Sequence, residues 1–93
     1  MTTEVRASHL LVKTVDEAKQ CLEEIESGKP FEDVAAAVSL CPSGASGGDL
    51  GYFERGMMVK PFEDMAFDME IGEISPPLMT QFGWHLIKLT DKK

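Results

Sequence analysis

Cys41-Pro42-Ser43-Gly44-Ala45-Ser46-Gly47-Gly48-Asp49-Leu50-Gly51-Tyr52-Phe53 divides the chain into two halves. Four glycines, one proline and two serines in thirteen residues exclude a helix or a central strand, since glycine loses most backbone freedom on ordering and Pro42 has no N–H to donate. The stretch is a shaped surface loop, of the kind in which binding and chemistry collect when a rigid scaffold fixes it. Working outward, one strand and two helical patterns lie upstream. Downstream come a short strand, one helix and two extended segments. Cys41 at the mouth of the loop is expected to face a groove between the halves.

Val5 to Lys13 alternates, with Val5, Ala7, His9 and Leu11 on one face and Leu10 and Val12 on the other. Apolar groups on both faces predict a central strand. Thr14-Val15-Asp16-Glu17 is a capping box. It opens a helix with a Val15, Ala18, Leu22 and Ile25 stripe, ending at Gly28 before Pro30. Phe31, Val34, Ala35 and Val38 mark a second helix, expected to run to the Cys41-Pro42 step. Leu50 to Glu54 is a short strand. Pro61 fits the start of a third helix, which carries Phe62, Met65, Ala66 and Met69 and closes at Gly72. Pro76 and Pro77 confine Ile74 to Thr80 to an edge. After a turn at Gln81-Phe82-Gly83, Trp84 to Thr90 forms a second central strand with His85, Ile87 and Leu89 on one face. The order predicts a small α+β domain, helices packed around a mostly antiparallel sheet.

Ninety-three residues support one domain, 1–93, with one modest core. No stretch approaches the roughly 20 apolar residues of a bilayer span. The opening residues lack an apolar signal core, so the expectation is a cytoplasmic protein that acts away from the membrane. A net charge of −7 argues against nucleic acid, which requires a lysine- and arginine-rich surface. Two cysteines, Cys21 and Cys41, do not make a disulfide framework, and free thiols are expected. Cys21 sits on a helix as an inert core residue.

Three groups carry chemistry: His9, His85 and Cys41. Histidines within apolar strands are satisfied core residues or, on neighbouring strands, a pair whose ring nitrogens fix each other's tautomer. Cys41 beside a histidine is the minimum for a thiol nucleophile, though no protease signature surrounds it. A zinc site from His9, Cys41 and His85 lacks the close-spaced ligand pairs typical of that metal. Leu50, Met58, Phe62 and Phe82 stand at element ends. Of these, Met58 and Phe62 flank a surface junction where they could form an adaptable apolar slot.

Five ordered motifs then bear on identity: Ala7-Ser8-His9-Leu10-Leu11-Val12-Lys13; Cys41 with Gly48-Asp49-Leu50-Gly51 seven residues on; Phe53-Glu54-Arg55-Gly56-Met57-Met58; Lys60-Pro61-Phe62-Glu63-Asp64; and Gln81-Phe82-Gly83-Trp84-His85-Leu86-Ile87. Over nearly its whole length the chain resembles the parvulin family of peptidyl-prolyl cis/trans isomerases, in its minimal, single-domain prokaryotic form. The resemblance implies a four-stranded antiparallel sheet surrounded by three to four helices, a parvulin or FKBP-like fold with a short extra helix between the second helix and the second strand. It implies catalytic positions at His9, Cys41, Thr80 and His85 and a proline pocket and rim at Leu50, Met58, Phe62 and Phe82. No cofactor or metal is implied, and the substrates are proline-containing polypeptides whose folding the domain assists; its small size and lack of an obvious apolar surface stripe lead to the expectation of a monomer. Phosphate-directed members carry a basic cluster after the first strand. Here only Lys13 remains, followed by Asp16 and Glu17, so no phosphorylated residue before proline is expected to be needed. Two other readings are a proline-segment binding module or holdase without turnover, and a cysteine-dependent hydrolase.

Overall fold

The computed structural model describes residues 3–41, 44 and 46–93. Its elements are β1 (Glu4–Val12), α1 (Val15–Glu26), α2 (Phe31–Val38), β2 (Asp49–Glu54), α3 (Lys60–Asp68), β3 (Leu78–Thr80) and β4 (Gly83–Lys92). The strands form one antiparallel sheet in the order β2-β1-β4-β3. The two long apolar strands are its centre, and the short strand and the proline-restricted segment are its edges. The short extra helix expected before β2 falls around Pro42, Ser43 and Ala45, outside the described residues.

Alternation along β1 and β4 divides the apolar side chains between two cores. On one face Val5, Ala7, Ile87 and Leu89 pack with Phe53, Phe62, Ala66 and Met69. On the other, Leu10, Val12 and Leu86 meet Ala18, Cys21, Phe31, Val34 and Ala35. The helices therefore separate, with α3 on the first face and α1 and α2 on the second. Burying an aromatic such as Phe62 or Phe31 contributes about 1.5–3 kcal/mol each relative to exposure.

Local chemistry explains the element ends, and in three places it differs from the expected pattern. Thr14 caps α1 by accepting from the Glu17 N–H at 3.2 Å, while its hydroxyl donates to the Glu17 carboxylate. Cys21 is buried at the centre of the α1 stripe, with Val15, Leu22 and Ile25 half-buried beside it. Helix α2 stops at Val38, which is exposed, three residues before the Cys41-Pro42 step. Ser39 leaves the helical region there, and the Leu40 N–H donates to the Leu11 carbonyl at 2.8 Å, drawing the chain onto the end of β1. Helix α3 likewise ends at Asp68 rather than Gly72, because Met69 turns extended to bury its side chain in the first core. No helix among the described residues is long and apolar enough to cross a membrane.

One glycine sets where the central loop meets the sheet. Gly48 has φ +84°, its carbonyl accepts from the His9 N–H at 2.9 Å, and an added Cβ would lie 2.1 Å from the His9 carbonyl oxygen. Neither the conformation nor the space tolerates a side chain. Gly48→Ala is expected to lower stability by about 1–3 kcal/mol from backbone strain alone, with the clash adding to it. Urea denaturation of the two proteins, compared at unchanged m-value, checks this.

Candidate functional site

A cleft of about 500 Å³ opens where β1, β4, the end of α2, the start of β2 and the β2–α3 loop converge. It is lined by His9, Leu11, Leu40, Cys41, Leu50, Met57, Met58, Val59, Phe62, Phe82 and His85. All the positions singled out for chemistry or for the proline slot are therefore brought to one groove, with Thr80 directly behind His85. Leu11, Leu40, Met57 and Val59 join the lining without having been singled out. Leu40, Met57 and Phe82 are largely exposed, so apolar area that would ordinarily be hidden is held open to solvent. Among the described residues, no aspartate, glutamate, lysine or arginine lines the cleft.

Its floor is built by the strand register. Leu11 pairs with His85 and His9 with Ile87, so the two histidines lie diagonally across the β1–β4 ladder on the same face. Their Nδ1 atoms are 3.2 Å apart and their rings are nearly parallel, at 17°. Phe62 sets its ring edge-on to both, with centroids 5.5 and 5.7 Å away. The Thr80 hydroxyl lies 2.7 Å from His85 Nε2 and accepts the Phe82 N–H at 3.2 Å.

Burial lowers the proton affinity of both rings. His9 falls from 6.5 to about 4, mainly through desolvation and further through repulsion by His85. His85 is lowered by desolvation. The pair is therefore neutral near pH 7, and two neutral rings meeting through Nδ1 must have one as donor and the other as acceptor. With Thr80 already accepting from Phe82, a consistent arrangement has its hydroxyl donating to His85 Nε2, His85 donating from Nδ1 to His9 Nδ1, and His9 carrying its proton on Nε2. A backbone amide favours that arrangement through one hydroxyl.

The wall bearing Cys41 is tied to β1 by Ser39. Its Oγ accepts from the Leu11 N–H at 3.2 Å and from the Cys41 N–H at 3.3 Å. Cys41 is a free thiol, half-buried, and Cys21 is free and buried in the second core. Ser39 carried no signal in the sequence, since a lone serine after a helix is compositionally ordinary. Its role depends on a contact with a strand 28 residues away.

Comparison with known proteins bears on this groove. Residues 7–91 match the family described as "Rotamase: PPIC-type PPIASE domain". The foldase protein PrsA of Geobacillus kaustophilus is 46% identical over 90 residues, covering 96% of this chain and 32% of that protein. Among solved structures, a peptidylprolyl isomerase (PrsA) from Bacillus anthracis superposes with a TM-score of 0.96 at 43% identity, over 99% of this chain and 43% of that one. NmPin, the parvulin of Nitrosopumilus maritimus, superposes at 0.89 with 41% identity, over 98% of this chain and 99% of that one. The chain spans about a third of the length of the curated relatives it matches. The expected cytoplasmic location is corrected by these relatives, because the PrsA foldases are extracytoplasmic, membrane-anchored lipoproteins. The composition of a domain carries no address when leader and anchor belong to other segments of a protein.

The neutral floor has a measurable signature. Nitrogen-15 NMR of the imidazoles at pH 7 is expected to show Nδ1–H on His85 and Nε2–H on His9. His9 should stay neutral down to about pH 4. Its folded-state affinity for protons lies below that of the unfolded chain, so stability should be full above pH 6.5 and fall as pH drops from 6.5 toward about 4. Urea midpoints across that range, with His9→Asn flattening the slope, check the sign.

Proposed function

The chain belongs to the PPIC-type peptidyl-prolyl isomerase (parvulin) family, and from that premise we propose that residues 1–93 act as one catalytic domain in which this groove accelerates cis/trans rotation of X–Pro bonds. Its substrates are proline-containing polypeptides. The carrying observation is the joining, in one cleft free of charged side chains, of a neutral histidine pair, a thiol and an apolar slot.

Rotation of a prolyl amide makes and breaks no bond, so the reaction calls for no cofactor. The barrier of about 18–20 kcal/mol comes from amide resonance. Lowering it by roughly 5–7 kcal/mol gives about four to five decades in rate. A groove achieves this by binding the twisted amide better than either planar form. Met58, Phe62 and Leu50 hold the pyrrolidine ring, and Phe82 covers it from the rim. Together they strip water from the amide carbonyl, which that water stabilises best when planar. His9 and His85, oriented by Thr80, supply a fixed dipolar floor. Cys41 acts as a polarisable wall group without attacking the carbonyl carbon, since rotation about the amide calls for no covalent intermediate.

Unphosphorylated segments, as exposed in unfolded chains, suit an apolar cleft with no cation in its lining, which supports a role in assisting folding. The net charge of −7 further supports a polypeptide partner over nucleic acid. Among the exposed large apolar side chains, Leu40, Met57 and Phe82 stand at the groove mouth, where a bound segment would cover them; action as a monomer belongs to the same reading.

Exchange spectroscopy on an Ala-Pro peptide should show accelerated interconversion with no cleavage, and no gain from a phosphoserine before proline. Cys41→Asp should retain substantial activity. Phe62→Ala, removing an apolar contact of about 1.5–3 kcal/mol, should lower kcat/KM roughly ten- to hundredfold. Peptide hydrolysis, or binding without faster exchange, would overturn the proposal.

A further inference from the structure

The methionine wall of the groove is carried by a loop, residues 55–59, that has no strand partner of its own. Glu63 is the acidic residue beneath it. Although a carboxylate in the first turn of α3 would ordinarily face solvent, Glu63 is only 8% exposed. Its carboxylate accepts the Gly56 N–H through Oε1 and the Arg55 Nη1 through Oε2 at 3.2 Å. The Arg55 guanidinium also pairs with the more exposed Asp64 at 3.6 Å and lies 4.4 Å above the Phe67 ring, both on the same helix. Within the loop, the Met57 N–H donates to the Glu54 carbonyl at 3.3 Å, and the Glu54 N–H reaches Met57 Sδ at 3.3 Å. Gly56 has φ +93°, so the turn that aims Met57 and Met58 into the cleft has its peak clamped by one buried carboxylate.

We propose that Glu63 is a positioning residue for the substrate groove: by holding the Gly56 amide and Arg55 to α3 it fixes the Met57–Met58 wall at the spacing that grips the proline-containing segment. Glu63 itself does not line the cleft. It acts through the backbone of its neighbours, so its loss should be read in substrate affinity, with the rate of the bound amide's rotation left to the floor. Glutamine can still accept from the Gly56 N–H but turns a donor toward Arg55, and alanine can do neither.

The inference rests on the isomerase reading of the groove, and the test separates the two. Peptide affinity is measured by NMR titration with a Phe-Ala-Pro-containing peptide, and kcat and KM by exchange on the same peptide. Glu63→Ala, Glu63→Gln and Ala66→Gly are each compared with wild type after their amide spectra show them folded. Ala66 is buried on the same helix and has no bond to the loop, so its glycine variant reports on destabilisation alone. The expected result is a Kd and KM raised roughly tenfold in Glu63→Ala, largely recovered in Glu63→Gln, unchanged in Ala66→Gly, and kcat nearly constant throughout. Unchanged affinity in Glu63→Ala, equal loss in Glu63→Gln, or equal loss in Ala66→Gly would overturn it. Should Glu63→Ala fail to fold, Glu63→Asp, one methylene shorter, supplies the comparison, with weakened binding in support and unchanged binding against. A wild-type protein that binds the peptide without accelerating exchange would sink the isomerase reading, while the Kd series would still decide the role of Glu63.

Discussion

The ladder between β1 and β4 carries the rest of the molecule. It is the longest strand pairing, running from Val5 opposite Lys92 to Val12 opposite Trp84. A side chain's face in a strand is set by parity, so a slip of one residue by either strand would carry its apolar set to the wrong core and turn its histidine away from the groove. The different side-chain sets packed on the two faces oppose that slip, since it would cost the close packing of both cores. The same burial that fixes the register also dries the imidazole pair, so packing and the electrical state of the floor have one cause. Among the described residues, every buried polar side-chain atom has a hydrogen-bond partner. That is the condition under which a polar cluster inside a small core ceases to be a liability.

Around that ladder, rigidity and openness are separated. The floor is strand, the most constrained backbone in the fold. Two walls are loops, held by polar anchors set back from the lining: Ser39 ties the Cys41 wall to β1, and Glu63 ties the methionine wall to α3. The lining can then be almost wholly apolar, because the hydrogen bonds that define its shape are made from behind. Met57 and Met58 suit such a wall, having unbranched side chains that adapt to different neighbours of a proline.

Much of this was legible in the chain. Period two along Val5–Lys13 and Trp84–Thr90 placed His9 and His85 on matching faces, and the glycine-rich stretch announced a loop that delivers Cys41. Helix ends were less legible. Val38 continues the helical spacing of Phe31 and Val34, yet the helix yields there to a long-range bond between Leu40 and Leu11, which no local pattern encodes. Met69 keeps its place in the apolar stripe while leaving the helix, since burial can be achieved from an extended backbone as well. Ser39 and Glu63 were assigned no role for a similar reason: each works through two hydrogen bonds outside its own helix, and isolated contacts have no periodicity. The address of the protein was beyond reach for a different reason, because a domain's surface reflects the need to fold and stay dissolved wherever it is sent.

A cleft with no formal charge in its lining and a floor that stays neutral has one further consequence. Dissolved ions have nothing there to screen or displace, and the recognition of a greasy five-membered ring gains rather than loses as salting-out solutes accumulate. A rotamase built this way would turn over as readily in brine as in dilute buffer.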